Sequence, residues 1–294
     1  MANDPSKTET ESTQRIERIA SGDGLTLVVD DLGPLHALVV ILLHGGGQTR
    51  HSWSAAAQSL AQSGYRVINF DARGHGESDW SAEGAYSLDD RVADLGAILA
   101  RINQPFALVG ASLGGATAIH AVAKGVLPAA LVLVDIVPQP EPAGIDRIVG
   151  FMRAHPNGFA SLDDAAEAVA AYNPDRSRPR DPAGLQRNLR QRADGRLHWH
   201  WDPQIVTESP QVHHEVVQRS AATLAQIVLP VLLVRGLNSD VVSDAGVASF
   251  RTILPRLEVA DVSGAGHMVA GDRNDAFNDA VITFLKKHLA VRGQ

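Results

Sequence analysis

Three kinds of residue in this chain have the types and spacing for acyl-transfer chemistry: a serine among glycines, a lone histidine in a glycine-rich loop, and aspartates where apolar runs end. Ser112 stands in "ALVGASLGGATA" (107–118), with Gly110 and Gly114 two positions to either side. A tight strand-to-helix turn forces such a serine into strained backbone angles, and small neighbours let strand and helix approach closely. The helix N-terminus beneath it favours negative charge developing in front of it. A small-residue turn needs no catalytic role, so the pentapeptide takes its meaning from its company. His267 lies in "VSGAGHMVAGD" (262–272), and Asp240 and Asp135 lie in "RGLNSDVVS" and "ALVLVDIVP". In "LLHGGGQ" (42–48) the glycines follow a buried run, where backbone N–H groups can bind an oxyanion together with the N–H of Leu113.

The elements that must position these residues follow from the hydrophobic pattern. "LTLVVDD" (25–31), "HALVVILLHGGG" (36–47), "YRVINFDARG" (65–74), "FALVGAS", "ALVLVDIVP" (130–138), "PVLLVRG" (230–236) and "RLEVADVSG" (256–264) read as strands. Helices are expected at "SAAAQSLAQSG" (54–64), closed by Gly64, and in "LDDRVADLGAILARI", where Leu88, Val92, Leu95, Leu99 and Ile102 share one face. Another helix starts at Leu113, and a last one presents Phe277, Val281, Leu285 and Leu289. Continuous aliphatic strands alternating with helices imply an α/β protein with a mostly parallel sheet covered on both faces. The rhythm breaks over residues 139–225, which carry Pro, Gly, Arg and aromatic residues without a strand pattern. These read as a mostly helical insertion in a core of residues 15–138 and 226–294, after a disordered leader over 1–14.

Bulk properties narrow the field further. The 294 residues carry a formal charge of −7, which gives no electrostatic reason to bind nucleic acid or an anionic membrane. With no cysteine there is no disulfide, thiolate metal site or cysteine nucleophile. No clustered carboxylate–histidine pattern suggests a metal, and no glycine-rich nucleotide loop suggests a cofactor. The polar N-terminus reads as neither signal nor transit peptide, no apolar run is long enough to span a membrane, and a cytoplasmic protein is expected. A homo-oligomer stays open.

Taken together, the motifs resemble the α/β-hydrolase superfamily from about residue 20 onward, in its serine-nucleophile branch with a cap domain. The resemblance implies an eight-stranded, mostly parallel sheet, with the cap inserted after the sixth strand. It implies Ser112 as nucleophile and His267 as base, with the oxyanion hole at Gly46 and Leu113 and Gly47 second. The D-x-R-G-x-G-x-S motif of Asp71, Arg73, Gly74, Gly76 and Ser78 is implied to be structural. Asp240 is preferred as the acid, because its loop and the histidine loop follow consecutive strands and the chain order Ser112, Asp240, His267 is the family's. Asp135, at the end of the sixth strand, is the rival position. His44 is expected to brace the oxyanion loop, and His75, His120, His213 and His214 to be surface or packing residues.

The implied activity is hydrolysis of a small-molecule carboxylic ester or lactone without cofactor or metal. Cofactor-free haloperoxidase or perhydrolase, C–C bond hydrolase and a non-enzymatic binding protein are the alternatives. Serine at the elbow argues against epoxide hydrolase and haloalkane dehalogenase chemistry, which use aspartate there. In "LHWHWD" (197–202), Trp199 and Trp201 are candidates for substrate contact, as is Gly47, or for a small core within the cap. Arg176, Arg178, Arg180, Arg187, Arg190, Arg192 and Arg196 crowd the insertion, as a solvated face or as a recognition site for the carboxylate of an acidic half-ester.

Overall fold

A computed structural model describes residues 14–173, 182–207, 209–272 and 274–289; the expected leader falls outside it except for Gln14. Eight strands form one sheet: β1 (Arg15–Ala20), β2 (Thr26–Leu32), β3 (Val39–Leu43), β4 (Arg66–Phe70), β5 (Phe106–Ala111), β6 (Ala130–Val134), β9 (Val231–Gly236) and β10 (Glu258–Val262). Their spatial order is β1-β2-β4-β3-β5-β6-β9-β10, and every pairing from β4 to β10 is parallel. The eight-stranded α/β architecture expected from the sequence is therefore present.

The aliphatic runs are buried because both faces of the sheet are covered. Leu131 and Leu133 of β6 face one cluster with α2 (Leu88–Leu99), α3 (Leu113–Ala123) and α7 (Asp244–Ile253). Ala130, Val132 and Val134 face the other, against α1 (Ser54–Gln62) and α9 (Asn274–His288). The alternation along one strand thus feeds two cores, which is why no polar face appears in the sequence.

β1 was not evident from pattern alone. It forms an antiparallel pair with β2, and Arg15 and Arg66 both bond the buried carboxylate of Asp31, at 3.0 and 2.9 Å. A short, charge-bearing edge strand of this kind protects the sheet from pairing with other chains.

The residues between β6 and β9 lie outside the sheet except where they return to it. α4 (Pro142–Arg153), α5 (Leu162–Tyr172) and a hairpin of β7 (Leu189–Gln191) and β8 (Leu197–Trp199) enclose a small core of Met152, Phe159, Ala165, Leu189, Trp199, Trp201 and Val206. The hairpin departs from the expectation of an insertion without strands. Its signal was Asp194-Gly195 between the two arms, a favoured hairpin-turn dipeptide. α6 (Pro210–Leu224) departs instead from the expected extent of the insertion, 139–225. Val217, Ala221 and Leu224 pack into the sheet's core beneath α3, so this helix belongs by packing to the core rather than to the insertion.

The D-x-R-G-x-G-x-S turn ties these layers together. Arg73 holds both oxygens of Asp94 on α2 at 2.6 Å, with both side chains buried, and its Nη1 also donates to the carbonyl of Ala85 at 3.0 Å. Removing one partner of such a pair strands the other charge out of water. Arg73→Met is therefore expected to cost about 3–5 kcal/mol in urea unfolding. A loss below about 1 kcal/mol would mean that the pair contributes no more than a surface contact.

Candidate active site

Ser112 joins β5 directly to α3 with φ 46° and ψ −115°, a region that residues with a side chain rarely occupy. The turn is held by Ser112 N–H donating to Val134 O at 3.1 Å and Ala116 N–H donating to Ser112 O at 2.9 Å. Its glycines are required by contact distance. A Cβ on Gly114 would lie 2.2 Å from Leu43 O, and one on Gly110 would lie 2.5 Å from Gly114 O. Close approach of β3, β5 and α3 thus fixes the serine at the carboxyl edge of the sheet.

The histidine of the last loop does not meet the aspartate preferred from the sequence. His267 Nδ1 lies 2.7 Å from Oδ2 of Asp135, whose side chain is fully buried just past the end of β6. Asp135 also accepts from Gly236 N–H at 3.1 Å and from Ser239 Oγ at 2.5 Å. Gly236 permits this junction twice over: it supplies that N–H, and a Cβ there would come within 2.3 Å of Gly266 O in the histidine loop. Asp240 is turned away. Its backbone carbonyl packs so closely on α4 that a Cβ on Gly144 would approach it to 2.3 Å, and its half-exposed carboxylate pairs with Arg147 Nε at 2.8 Å. The placement of Asp240 behind His267 is corrected accordingly: the side chain in that position is Asp135.

The glycine loop after β3 has its N–H groups divided. Gly45 N–H donates to Gln48 Oε1 at 3.0 Å, and Gly47 N–H donates to His75 Nε2 at 3.1 Å. Gly46 N–H has no partner among the described residues. Leu113, the first residue of α3, has an N–H without an intrahelical acceptor.

Three histidines support this loop. His44 Nε2 accepts from Ala72 N–H at 2.9 Å, so its Nδ1 carries the proton and donates to Gly45 O at 2.8 Å. His75 accepts from Gly47 on one side and donates to Arg73 O on the other. His200 accepts from Gly76 N–H at 2.8 Å and donates to Gly47 O at 3.3 Å. Burial lowers the pKa of all three, that of His200 to about 3, so each is neutral and its tautomer is set by these bonds. His44 braces the loop as expected. His75 is more than a packing residue, because it fixes the N–H of Gly47. His120 is buried and bridges Ser220 and Asp89, while His213 and His214 line the cavity beside the serine.

Ser112, Asp135, His267, Gly46, Gly47 and Leu113 open on one cavity of about 600 Å³. Its walls are mostly apolar, and Trp199 and Trp201 contribute to them while stacking on each other at 5.0 Å, so they are both wall and insertion core. Among the described residues no cluster of His, Asp or Glu is arranged to hold a metal ion, and no helix is long and apolar enough to cross a membrane.

The four described arginines of the cluster lie away from the cavity. Arg176, Arg178 and Arg180 lie outside the described residues, and none of Arg187, Arg190, Arg192 and Arg196 lines the cavity. Arg192 stacks over Trp80 at 5.2 Å, and Arg196 donates to Asn157 O and Gly158 O. Among the described residues, the arginine that lines the cavity is Arg91 of α2. Its sequence signal was a charge on the helix's buried face, three residues after Leu88 and four before Leu95.

Known proteins carry the same arrangement of elements. Residues 39–273 match the family model described as the alpha/beta hydrolase fold. The probable protein phosphatase methylesterase 1 of Caenorhabditis elegans is 32% identical over 50% of this chain, which covers only 44% of that relative. The chain thus spans less than half the length of this relative and of the mammalian methylesterases it also matches. Esterase Rv0045c of Mycobacterium tuberculosis is 30% identical over 82% of this chain and 80% of its own. Its crystal structure superposes with a TM-score of 0.73, covering 93% of this chain and 92% of that one. An alpha/beta hydrolase from Novosphingobium aromaticivorans superposes with a TM-score of 0.78 at 26% identity, covering 94% of this chain and 99% of that one. The serine turn, the histidine loop and the glycine loop meet at the carboxyl edge of a sheet shared along nearly the whole chain, and the chain belongs to the α/β-hydrolase family.

Proposed function

We propose that this protein is a serine hydrolase of small carboxylic esters, with Ser112 as nucleophile, His267 as general base and Asp135 as the acid that orients it. The observation that carries the reading is the 2.7 Å contact between His267 Nδ1 and the buried Asp135 carboxylate, in a cavity that also exposes a strained serine. Because Asp135 accepts at Nδ1, the proton sits there and the lone pair of Nε2 is free to take the proton of Ser112 Oγ. The Oγ attacks the ester carbonyl, and the negative charge moves to the carbonyl oxygen. Collapse expels the alcohol, which takes the proton from His267, and leaves an ester on Ser112. Water, deprotonated by His267, then attacks that ester and releases the acid and the serine.

The tetrahedral oxygen needs fixed donors, and the N–H groups of Gly46 and Leu113, which border the cavity of Ser112, are left uncommitted by internal hydrogen bonds. Gly46→Pro removes one donor and is expected to lower kcat by about 10²–10³-fold. Circular dichroism would establish that the variant is folded. Unchanged turnover in a folded variant would remove Gly46 from this role. The named activities of esterase Rv0045c and the methylesterases agree with ester hydrolysis. A panel of neutral esters, half-esters and lactones, with products identified by mass spectrometry, tests the reading; no hydrolysis of any of them overturns it.

A further inference from the structure

Arg91 is a buried cation that the roles described above leave unused. It is 4% exposed, it lines the cavity of Ser112, and its Nε and Nη1 are sealed from solvent without a hydrogen-bond partner. The charges of Asp94 and Asp90 stabilise it from a distance, but the hydrogen bonds of its neighbours go elsewhere. Both oxygens of Asp94 are held by Arg73 at 2.6 Å. The Tyr86 hydroxyl donates to Asp202 Oδ2 at 2.5 Å and accepts from Ser81 N–H at 2.8 Å. Asp90 caps α2 through Ser87. Burial beside Arg73 pulls the Arg91 pKa down to about 10, yet the guanidinium stays charged at neutral pH.

Buried guanidinium donors without hydrogen-bond partners cost free energy, and the cost is recovered when an anion arrives with matching geometry. Of the guanidinium nitrogens only Nη2 is not sealed off, and the space the residue borders is the same cavity that exposes the nucleophile. The remaining walls include Ile148, Met152, Trp201 and Val206, which offer nothing to a charge but strengthen an ion pair by excluding water. The net charge of −7 repels anions at long range, so any preference for them must arise locally.

We propose that Arg91 is a substrate-binding residue that holds a carboxylate carried by the ester, so that acidic half-esters are the favoured substrates of this cavity. The proposal rests on Ser112 being an esterase nucleophile, and it moves anion recognition from the arginines of the insertion to the buried face of α2. Arg91 does not touch the bond that breaks; it sets which esters reach Ser112.

The test compares monomethyl and dimethyl esters of the linear dicarboxylic acids from succinate to suberate. In the wild-type enzyme the half-ester of at least one chain length is expected to have the higher kcat/KM. In Arg91→Met, the ratio of half-ester to diester kcat/KM should fall by about 10–100-fold, the worth of one charge-assisted contact. The change should appear mainly in KM, and Arg91→Lys should recover part of it. As a ratio, the readout is independent of how much of each preparation is folded. Diesters preferred at every chain length, or a ratio unchanged by Arg91→Met, would overturn the proposal.

Binding without turnover provides the second measurement. Monomethyl adipate is expected to change the tryptophan fluorescence of Ser112→Ala, since Trp199 and Trp201 wall the cavity, and to do so far more weakly in Ser112→Ala/Arg91→Met. Equal responses would overturn the proposal. If no ester is cleaved yet the half-ester binds through Arg91, the esterase reading fails while the carboxylate site stands.

Discussion

Replacing Ser112 by alanine is expected to lower turnover by about 10⁶-fold, the loss seen when the nucleophile of a serine triad is removed. A fluorophosphonate probe should label the wild-type protein at Ser112 alone and leave the variant unlabelled. The loss follows from the lack of a substitute at the site: among the described residues lining the cavity Ser112 is the only serine or threonine, and the chain contains no cysteine. The same position makes a stability prediction of opposite sign. With φ 46° and ψ −115°, the serine pays a backbone strain of about 1–3 kcal/mol that glycine does not. Ser112→Gly should be as inactive as the alanine variant but more stable in urea, while Ser112→Ala keeps the strain. A folded Ser112→Ala enzyme with wild-type turnover would end the serine-hydrolase reading. An inactive Ser112→Gly that is no more stable would end the strain argument alone.

The parts of this site visible in the sequence are those that sit in local patterns. Ser112 is marked by a strand pattern running into glycines, and His267 and Gly46 each follow a recognisable strand. What escaped were relations between residues far apart in the chain. Asp240 leaves β9, the neighbour of the β10 strand that precedes the histidine loop, whereas Asp135 leaves β6, one strand farther in, so chain order pointed to Asp240. The choice is made by the tight crossing of Gly236 with Gly266 and by α4 drawing Asp240 toward Arg147. Arg91 escaped for a related reason. A helical wheel places it on the buried face, but only the surrounding pairs show that its neighbours are spoken for. α6 carries an apolar stripe like many cap helices, and nothing local says that it packs beneath α3.

The acid is the second place where a large effect should separate two residues. Asp135→Asn keeps the shape of the side chain but removes the charge and the preference for a proton on Nδ1. The amide N–H can instead donate to Nδ1, leaving the proton on Nε2, where it cannot accept from Ser112. A loss of about 10⁴-fold in kcat is expected, as in a serine protease whose triad aspartate is so changed. Asp240→Asn breaks only a half-exposed pair with Arg147, worth about 0–1 kcal/mol, and leaves the histidine untouched. Its turnover should stay within about threefold of wild type. Fluorophosphonate labelling rates, which require the activated serine but no substrate preference, should fall in the first variant and not in the second. The double variant should then match Asp135→Asn, because two residues that do not share a partner contribute independently. If Asp240→Asn instead suffers the larger loss, the acid lies after β9 and the contact seen between Asp135 and His267 is not the one used in turnover. A third outcome, large and equal losses in both singles without further loss in the double, would place both carboxylates in one network around His267. Ser239 is the group that would join them, since its hydroxyl donates to Asp135 one residue before Asp240.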